Sequence, residues 1–213
     1  ARRRVTARTV GAASAAILLA VVAAEAAPAG APAFELEPIG SSVKFTAVQQ
    51  GAKFESSFET FTTRVQFDPA RPESGRILAR INLASVDTGN PERDEILKTA
   101  DWFGVSQWPD ATFTADKIVR TTDGYLANGT LALRGVSRPV VLRFRWTPAA
   151  DGKPARLNGG ATLLRLAFGV GQGDWQDTAY VGNAVVIQVD IRLRPLQTTV
   201  KSVTIMDDAR DVR

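Results

Sequence analysis

The chain has 213 residues, with 26 lysines and arginines against 22 aspartates and glutamates, and it contains neither cysteine nor histidine. A chain of this length is expected to form one domain with a substantial core. The two missing residue types exclude disulfides, Ser-His-Asp and Cys-His catalysis, and the common zinc sites.

The first 26 residues are predicted to be a secretory signal peptide. A basic segment over residues 1–8 precedes an uncharged apolar run over residues 10–24, and Ala24-Glu25-Ala26 has the small-x-small form of a cleavage site. An uncleaved membrane anchor is the alternative, but the run is shorter than the span of about 20 residues that crosses a bilayer comfortably. Residues 27–33, which include two prolines, are predicted to be a stiff linker. The protein is therefore expected to be periplasmic or secreted.

Removal of this leader would leave the chain nearly neutral. Residues 1–26 hold four arginines and one glutamate, so 22 basic and 21 acidic side chains remain after them. The remaining chain has no basic run with interleaved aromatic residues, and we expect no nucleic acid partner. The arginine pairs Arg143/Arg145 and Arg192/Arg194 alternate with apolar residues, as on the solvated face of a sheet.

Period-two alternation of apolar residues predicts a series of β-strands after the linker. Turn-forming sequences such as Thr122-Asp123-Gly124 and Asn158-Gly159-Gly160 separate the strands. Many antiparallel strands with one apolar face each predict an all-β fold, either a sandwich or a closed barrel, and the alternation does not distinguish the two. The alternating runs are residues 43–47, 61–67, 77–83, 125–133, 140–146, 161–168 and 185–193.

A single short helix is predicted to interrupt the strands. Asn90 is a good helix cap, Pro91 suits the first helical position, and acidic residues follow in the first turn. Three large aromatic residues come after this helix, and they should fold back onto an apolar surface because their exposure would be costly. These aromatic residues are Trp102, Phe103 and Trp108.

The segment around this helix resembles the signature of the YceI-like family, bacterial proteins known as polyisoprenoid-binding or lipid-binding proteins. Two further blocks resemble the family pattern: residues 129–140, which read GTLALRGVSRPV, and Phe168-Gly169-Val170-Gly171 with Trp175. The resemblance covers about residues 34–195, and residues 196–213 lose the alternation and are predicted to be a mobile tail. The residues that match the first signature are Asp87, Thr88, Arg93, Asp94, Leu97, Asp101, Trp102, Phe103, Trp108, Pro109 and Phe113.

The resemblance implies an extended eight-stranded antiparallel barrel, similar to lipocalins, with a long apolar pocket and a short helical insertion. Its ligand would be a lipid-like molecule with an isoprenoid or acyl tail, such as an isoprenoid quinone, a polyprenyl phosphate or a fatty acid. Burial of the tail would supply affinity at about 25 cal/mol per Å² of apolar surface. Ordinary core packing is the alternative for each candidate lining residue. The candidates are Phe45, Phe58, Phe61, Val65, Ile81, Leu83, Trp102, Phe103, Trp108, Phe113, Leu131, Leu133, Phe144, Phe168 and Trp175.

Arg134 departs from the family pattern. Many relatives have histidine immediately before the glycine of the second block, and Arg134 occupies that position here. Its fixed charge and five donors suit a carboxylate or a phosphate, so we predict that it contacts an acidic head group of the ligand. The alternatives are a salt bridge to an acid such as Asp87 or Asp94, or exposure to solvent.

No enzymatic activity, metal or cofactor is expected beyond the non-covalently bound lipid. Asp87, Asp94 and Asp101 could suggest glycosidase chemistry, but a turn, a helix start and a salt bridge explain them equally well. A second functional hypothesis is a periplasmic stress or electron-transport accessory protein with a filled barrel. Such a protein would act through its surface on a partner such as a b-type cytochrome or a membrane. A homodimer is also compatible with the sequence.

We predict that the exported protein begins near Ala27, because the basic segment, the apolar run and the cleavage pattern occur in the order that a signal peptidase requires. The intact mass of the protein from the extracytoplasmic fraction tests this prediction. A membrane-bound form that retains residues 1–26 would instead support the anchor.

Overall fold

The computed structural model describes residues 31–196, which leaves the predicted signal peptide, most of the linker and almost all of the tail outside the described range. One α-helix, α1 at Pro91–Lys98, and four short 3₁₀ turns accompany the strands. No helix in the described range is long and apolar enough to cross a membrane. The strands are β1 (Ala33–Gln49), β2 (Ala52–Phe58), β3 (Phe61–Gln66), β4 (Arg76–Asn82), β5 (Val86–Asp87), β6 (Asp110–Thr121), β7 (Gly124–Leu133), β8 (Val136–Thr147), β9 (Ala155–Leu164) and β10 (Ala184–Pro195).

The strands form one closed antiparallel barrel. β1 pairs with β3, the wall continues through β4, β6, β7, β8, β9 and β10, and β10 pairs with β1 again. After short breaks, β2 lies in line with β3 and pairs with β1, and β5 lies in line with β4 and pairs with β2. With each broken strand counted once, the barrel has eight strands, which confirms the predicted architecture.

β1 is long enough to join both ends of the barrel. Residues 33–35 pair with β3, whereas residues 43–49 pair with β2. Between these segments the register against β10 shifts at a bulge between Glu37 and Ser42. Gly40 lies in this bulge with a φ of +78°, a conformation that favours glycine. A bulge of this kind bends the strand, and it lets β1 follow the curvature of the wall.

The break between β2 and β3 lies opposite the break between β4 and β5, and backbone hydrogen bonds join the two. The N–H of Glu59 donates to the carbonyl of Ser85 at 3.0 Å, and the N–H of Asn82 donates to the carbonyl of Thr60 at 3.0 Å. The wall therefore stays continuous where both strands bend.

Aromatic side chains fill the end of the barrel where β1 begins. The ring of Phe67 lies 4.9 Å from Tyr125, 5.6 Å from Phe144 and 5.0 Å from Trp146 between ring centroids. Phe34 packs on Trp146 at 5.1 Å. These edge-on contacts are the arrangement that aromatic rings prefer. We call these five residues the aromatic plug.

The predicted strand over residues 161–168 is only partly correct. β9 ends at Leu164, and residues 165–168 form a 3₁₀ turn that is followed by Gly169 with a φ of +68°. The reason is the neighbouring strand: β10 begins at Ala184, opposite Leu164, so residues beyond this pair have no partner in the β10 ladder.

α1 begins as the sequence predicts. The side chain of Asn90 accepts a hydrogen bond from the N–H of Arg93 at 3.1 Å, and Pro91 occupies the first helical position. The hydroxyl and the N–H of Thr88 donate to one carboxylate oxygen of Asp94, at 2.7 and 2.9 Å. The Asn90 bond satisfies one free N–H of the first helical turn, and Pro91 has no N–H to satisfy. The Thr88 bonds tie the chain before α1 to the helix.

We predict that Phe67→Ala lowers the free energy of unfolding by about 3–5 kcal/mol, because it removes the central ring of a close-packed cluster. Phe54→Ala is the matched control, since Phe54 is half-buried at the other end of the barrel, and its loss should be clearly smaller. Urea denaturation of both variants provides the comparison. Equal losses would contradict a difference in packing between the two ends.

Candidate ligand-binding cavity

The barrel is hollow at the end opposite the aromatic plug. A cavity of about 380 Å³ lies there, lined mainly by aliphatic and aromatic side chains from the strands and from α1. This volume is near the lower end of the range for small-molecule sites. The polar residues on the wall are Gln49, Thr63, Asn90, Glu92, Arg93 and Arg165.

Eleven of the predicted site residues lie on the cavity wall, on five strands, in the 3₁₀ turn after β4, in the segment after α1 and in the loop after β9. Contact between these residues and a ligand stays a prediction, because a residue must line the cavity to touch a ligand but lining the cavity does not show that it does. These residues are Phe45, Phe58, Ile81, Leu83, Trp102, Phe103, Phe113, Leu131, Leu133, Phe168 and Trp175.

Three predicted residues on the strands lie away from the cavity. Val65 and Phe144 face the inside of the barrel, but they lie at its filled end, where they are 1% and 2% exposed. Phe144 belongs to the aromatic plug. Phe61 is half-buried next to the break between β2 and β3 and packs against the core. Alternation identifies the inward face, but it does not say how far along the barrel a residue lies.

Trp108 and Arg134 contact each other outside the cavity wall. The guanidinium carbon of Arg134 lies 5.1 Å from the Trp108 ring centre, and its Nη2 donates to the carbonyl of Ala100 at 2.6 Å. Arg134 and Gly135 form the two-residue turn between β7 and β8, with φ values of 52° and 72°. Arg134 thus ties this turn to the segment after α1. Arg134 was predicted to lie at the cavity, but it is not among the residues that line it. Within residues 31–196 it also forms no salt bridge to an acid.

A row of aromatic rings forms one side of the cavity. Phe54, Phe45, Phe58 and Phe103 follow one another with centroid separations of 6.4, 5.5 and 6.0 Å. Phe54 is the most exposed of the four. The guanidinium carbon of Arg93 lies 4.4 Å above the centre of its ring, which is a cation–π contact.

Arg165 is a buried cation on the wall that the sequence analysis missed. It is 4% exposed, and desolvation lowers the pKa of its guanidinium, although an arginine stays charged. Its nitrogens donate to backbone carbonyls at 2.6 to 3.4 Å, and no described carboxylate forms an ion pair with it. The acceptors are the carbonyls of Val170, Gly171, Trp175, Val181 and Gly182.

These bonds hold the loop over residues 169–182 against the cavity. The Arg165 guanidinium also lies 5.5 Å from the ring centre of Trp102, which is 5.4 Å from that of Trp175. Both tryptophans line the cavity. An arginine inside the apolar run 163–168, followed by several glycines, is the sequence signal that could have identified this role.

The cavity can enclose an apolar chain and shield it from water, with a few polar groups available for a head group. Within residues 31–196, no group of three or more histidine, cysteine, aspartate or glutamate residues is placed to hold a metal ion.

The model of the YceI-like domain matches residues 34–193. The chain belongs to the YceI-like family. Among curated relatives of this YceI-like chain, a UPF0312 protein of Yersinia enterocolitica is 36% identical over 91 residues, which are 43% of this chain and 47% of that protein. A UPF0312 protein of Azotobacter vinelandii is 33% identical over 119 residues, 54% of this chain and 62% of that protein. The chain thus spans about half the length of the curated relatives it matches.

Solved structures share the fold of this YceI-like chain. BcnA of Burkholderia cenocepacia superposes with a TM-score of 0.69 at 28% identity, over 75% of this chain and 99% of that chain. The Campylobacter jejuni YceI protein gives a TM-score of 0.58 at 23% identity, over 68% and 86% of the two chains. A domain from Saccharophagus degradans, described as polyisoprenoid binding, gives 0.60 at 14% identity, over 78% and 99%.

We predict that Arg165→Met lowers the free energy of unfolding by about 3 kcal/mol, because buried carbonyls left without a donor cost about 1–3 kcal/mol each. Arg156→Gln is the matched control. It removes a surface ion pair with Asp190, and exposed pairs contribute at most about 1 kcal/mol. Urea denaturation measures both, and hydrogen exchange in residues 169–182 locates the effect. An Arg165→Met variant as stable as the wild type would show that the loop does not depend on this side chain.

Proposed function

We propose that this YceI-like chain binds one amphiphilic molecule and encloses its apolar tail in the barrel cavity. The observation that carries the proposal is the hollow half of the barrel, whose wall is mainly aliphatic and aromatic. Protein interiors are normally close-packed, and atoms that line an empty space lose their dispersion contacts. A ligand tail in this space would restore those contacts.

The size of the cavity favours a single chain. A volume of about 380 Å³ holds on the order of a dozen groups the size of a water molecule or a methylene. The aromatic plug closes the barrel beyond it, so a long isoprenoid would extend out of the opening. The Saccharophagus domain shares the fold, but at 14% identity its described ligand does not select between isoprenoid and acyl chains for this protein.

We propose that the protein is a carrier or sequestering protein rather than an enzyme, and that it works after export, in the periplasm or outside the cell. The apolar wall supports a binding role, and the leader-like sequence at residues 1–26 supports export. The accessory-protein hypothesis requires a filled barrel, whereas this barrel is filled at one end only. A membrane partner, a b-type cytochrome partner and a homodimer stay predictions.

We predict that Ala79→Phe weakens ligand binding by about tenfold or more. Ala79 lines the cavity, and a ring there would displace at least two buried methylenes, each contributing about 0.8 kcal/mol. Displacement of a fluorescent fatty-acid probe measures the affinity, and native mass spectrometry of protein purified without detergent identifies any bound lipid.

Ala132→Leu is the matched control, because Ala132 lies on β7 between two wall residues but faces away from the cavity. It should leave the affinity unchanged. If the wild-type protein binds no acyl or isoprenoid chain, or if both variants bind equally well, the cavity is not a ligand site.

A further inference from the structure

Two arginines lie on the cavity wall, and they differ in whether their N–H groups already have hydrogen-bond acceptors. The Arg165 nitrogens are already bonded to backbone carbonyls. The Arg93 side chain is half-buried and contacts the ring of Phe54, but it makes no hydrogen bond or ion pair with the residues that the structure describes. Arg93 therefore offers a cation with free donors at the cavity.

The contact with Phe54 directs these donors. A guanidinium is planar and presents its N–H groups in a fixed fork around its edge. The contact with the ring restricts how the group can turn and leaves its edge available. A partly buried charged group that lacks an acceptor is costly, so this edge favours an anion or water.

The surrounding charges also favour an anion. Asp94 and Glu95 each have a partner of their own on α1 or directly before it. Glu92 is the one carboxylate among the described wall residues, against two guanidiniums, and it is exposed. The positive end of the α1 dipole lies in the same turn of helix as Arg93.

Asn90 provides a second donor next to Arg93. Its side-chain oxygen caps α1 by accepting from the Arg93 N–H at 3.1 Å, so its amide nitrogen is oriented by the same bond. That nitrogen donates to no partner within residues 31–196, and Asn90 lines the cavity. Both donor-bearing side chains thus lie on the cavity wall at the start of α1, Arg93 half-buried and Asn90 exposed.

We propose that Arg93, assisted by Asn90, binds the anionic head group of the ligand, a carboxylate or a phosphate monoester, while the tail lies along the row of aromatic rings that begins at Phe54. The inference rests on the proposed function and narrows its ligand to single-chain acids. It assigns to Arg93 the head-group contact that the sequence analysis predicts for Arg134.

The experiment compares dodecanoate, dodecyl phosphate and dodecan-1-ol, which share one tail, by calorimetry and by probe displacement. The wild-type protein should bind both anions more tightly than the alcohol. Arg93→Gln should weaken binding of both anions by about ten- to a hundredfold, the scale of a hydrogen bond to a charged group, and leave the alcohol nearly unchanged. Arg93→Lys, which keeps the charge but not the fork, should lose only part of the preference.

Arg138→Gln is the matched control, because Arg138 is an exposed arginine on β8 at the same end of the barrel, outside the cavity wall. It should bind all three ligands as the wild type does. Acetate and inorganic phosphate carry the anion without a tail and should compete with dodecanoate only at much higher concentration, because they bury no apolar chain. Circular dichroism and urea denaturation confirm that each variant is folded.

Equal affinity of the wild-type protein for the acid and the alcohol overturns the inference without any variant, while the proposed function stands. The same holds if Arg93→Gln weakens all three ligands equally, or if Arg134→Gln rather than Arg93→Gln removes the preference for anions. Failure of the wild-type protein to bind any of the three ligands overturns both the inference and the proposed function.

Discussion

The hydrogen bonds between β1 and β10 close the sheet, and the width of the interior follows from that closure. Eight strands enclose a space that side chains can fill or that can admit one small ligand. This barrel does both along its length, because the aromatic plug fills one end and the wall leaves about 380 Å³ open at the other. The filled half contributes the close-packed core that stabilises the fold. Because the filled half stabilises the fold, the barrel can stay closed although side chains do not fill its other half.

Local patterns predicted the start of the helix and seven of the strand regions, because these depend on neighbours in the sequence, but they gave no alternating run over β2, β5 or β6. Alternation placed residues such as Phe45 and Leu131 inside the barrel, and the Asn90-Pro91 pair marked the start of α1. The place of a residue along the barrel axis depends instead on the register between strands that are distant in the sequence. Phe144 meets Phe67 only because several strand pairs intervene with fixed registers, and no local pattern contains that information.

The same limit applies to the candidate site: the local sequence around Arg134, Arg165 and Arg93 does not show which groups each arginine contacts in the folded chain. A departure from a family pattern drew attention to Arg134, but a two-residue turn carries its side chain towards Ala100. The partners of Arg165 lie in a loop up to 17 residues further along the chain, and its role is visible only once that loop is folded. Arg93 matched the family signature, yet its availability depends on two things: no carboxylate within residues 31–196 forms an ion pair with it, and the ring of Phe54 lies beneath it.

The short length of β5 has a consequence for the opening of the barrel. β5 pairs with β2 at Ser57 and Phe58 only, so the described ladder leaves residues 52–56 bonded to β1 on one edge alone. An edge of this kind can move with little loss of main-chain hydrogen bonding, so under the proposed function it would let the opening admit ligands of different width. A free edge can also recruit a strand from another molecule and start aggregation. Lys53 and Glu55 are exposed on this segment, and such charges oppose the addition of a strand from another molecule at this edge.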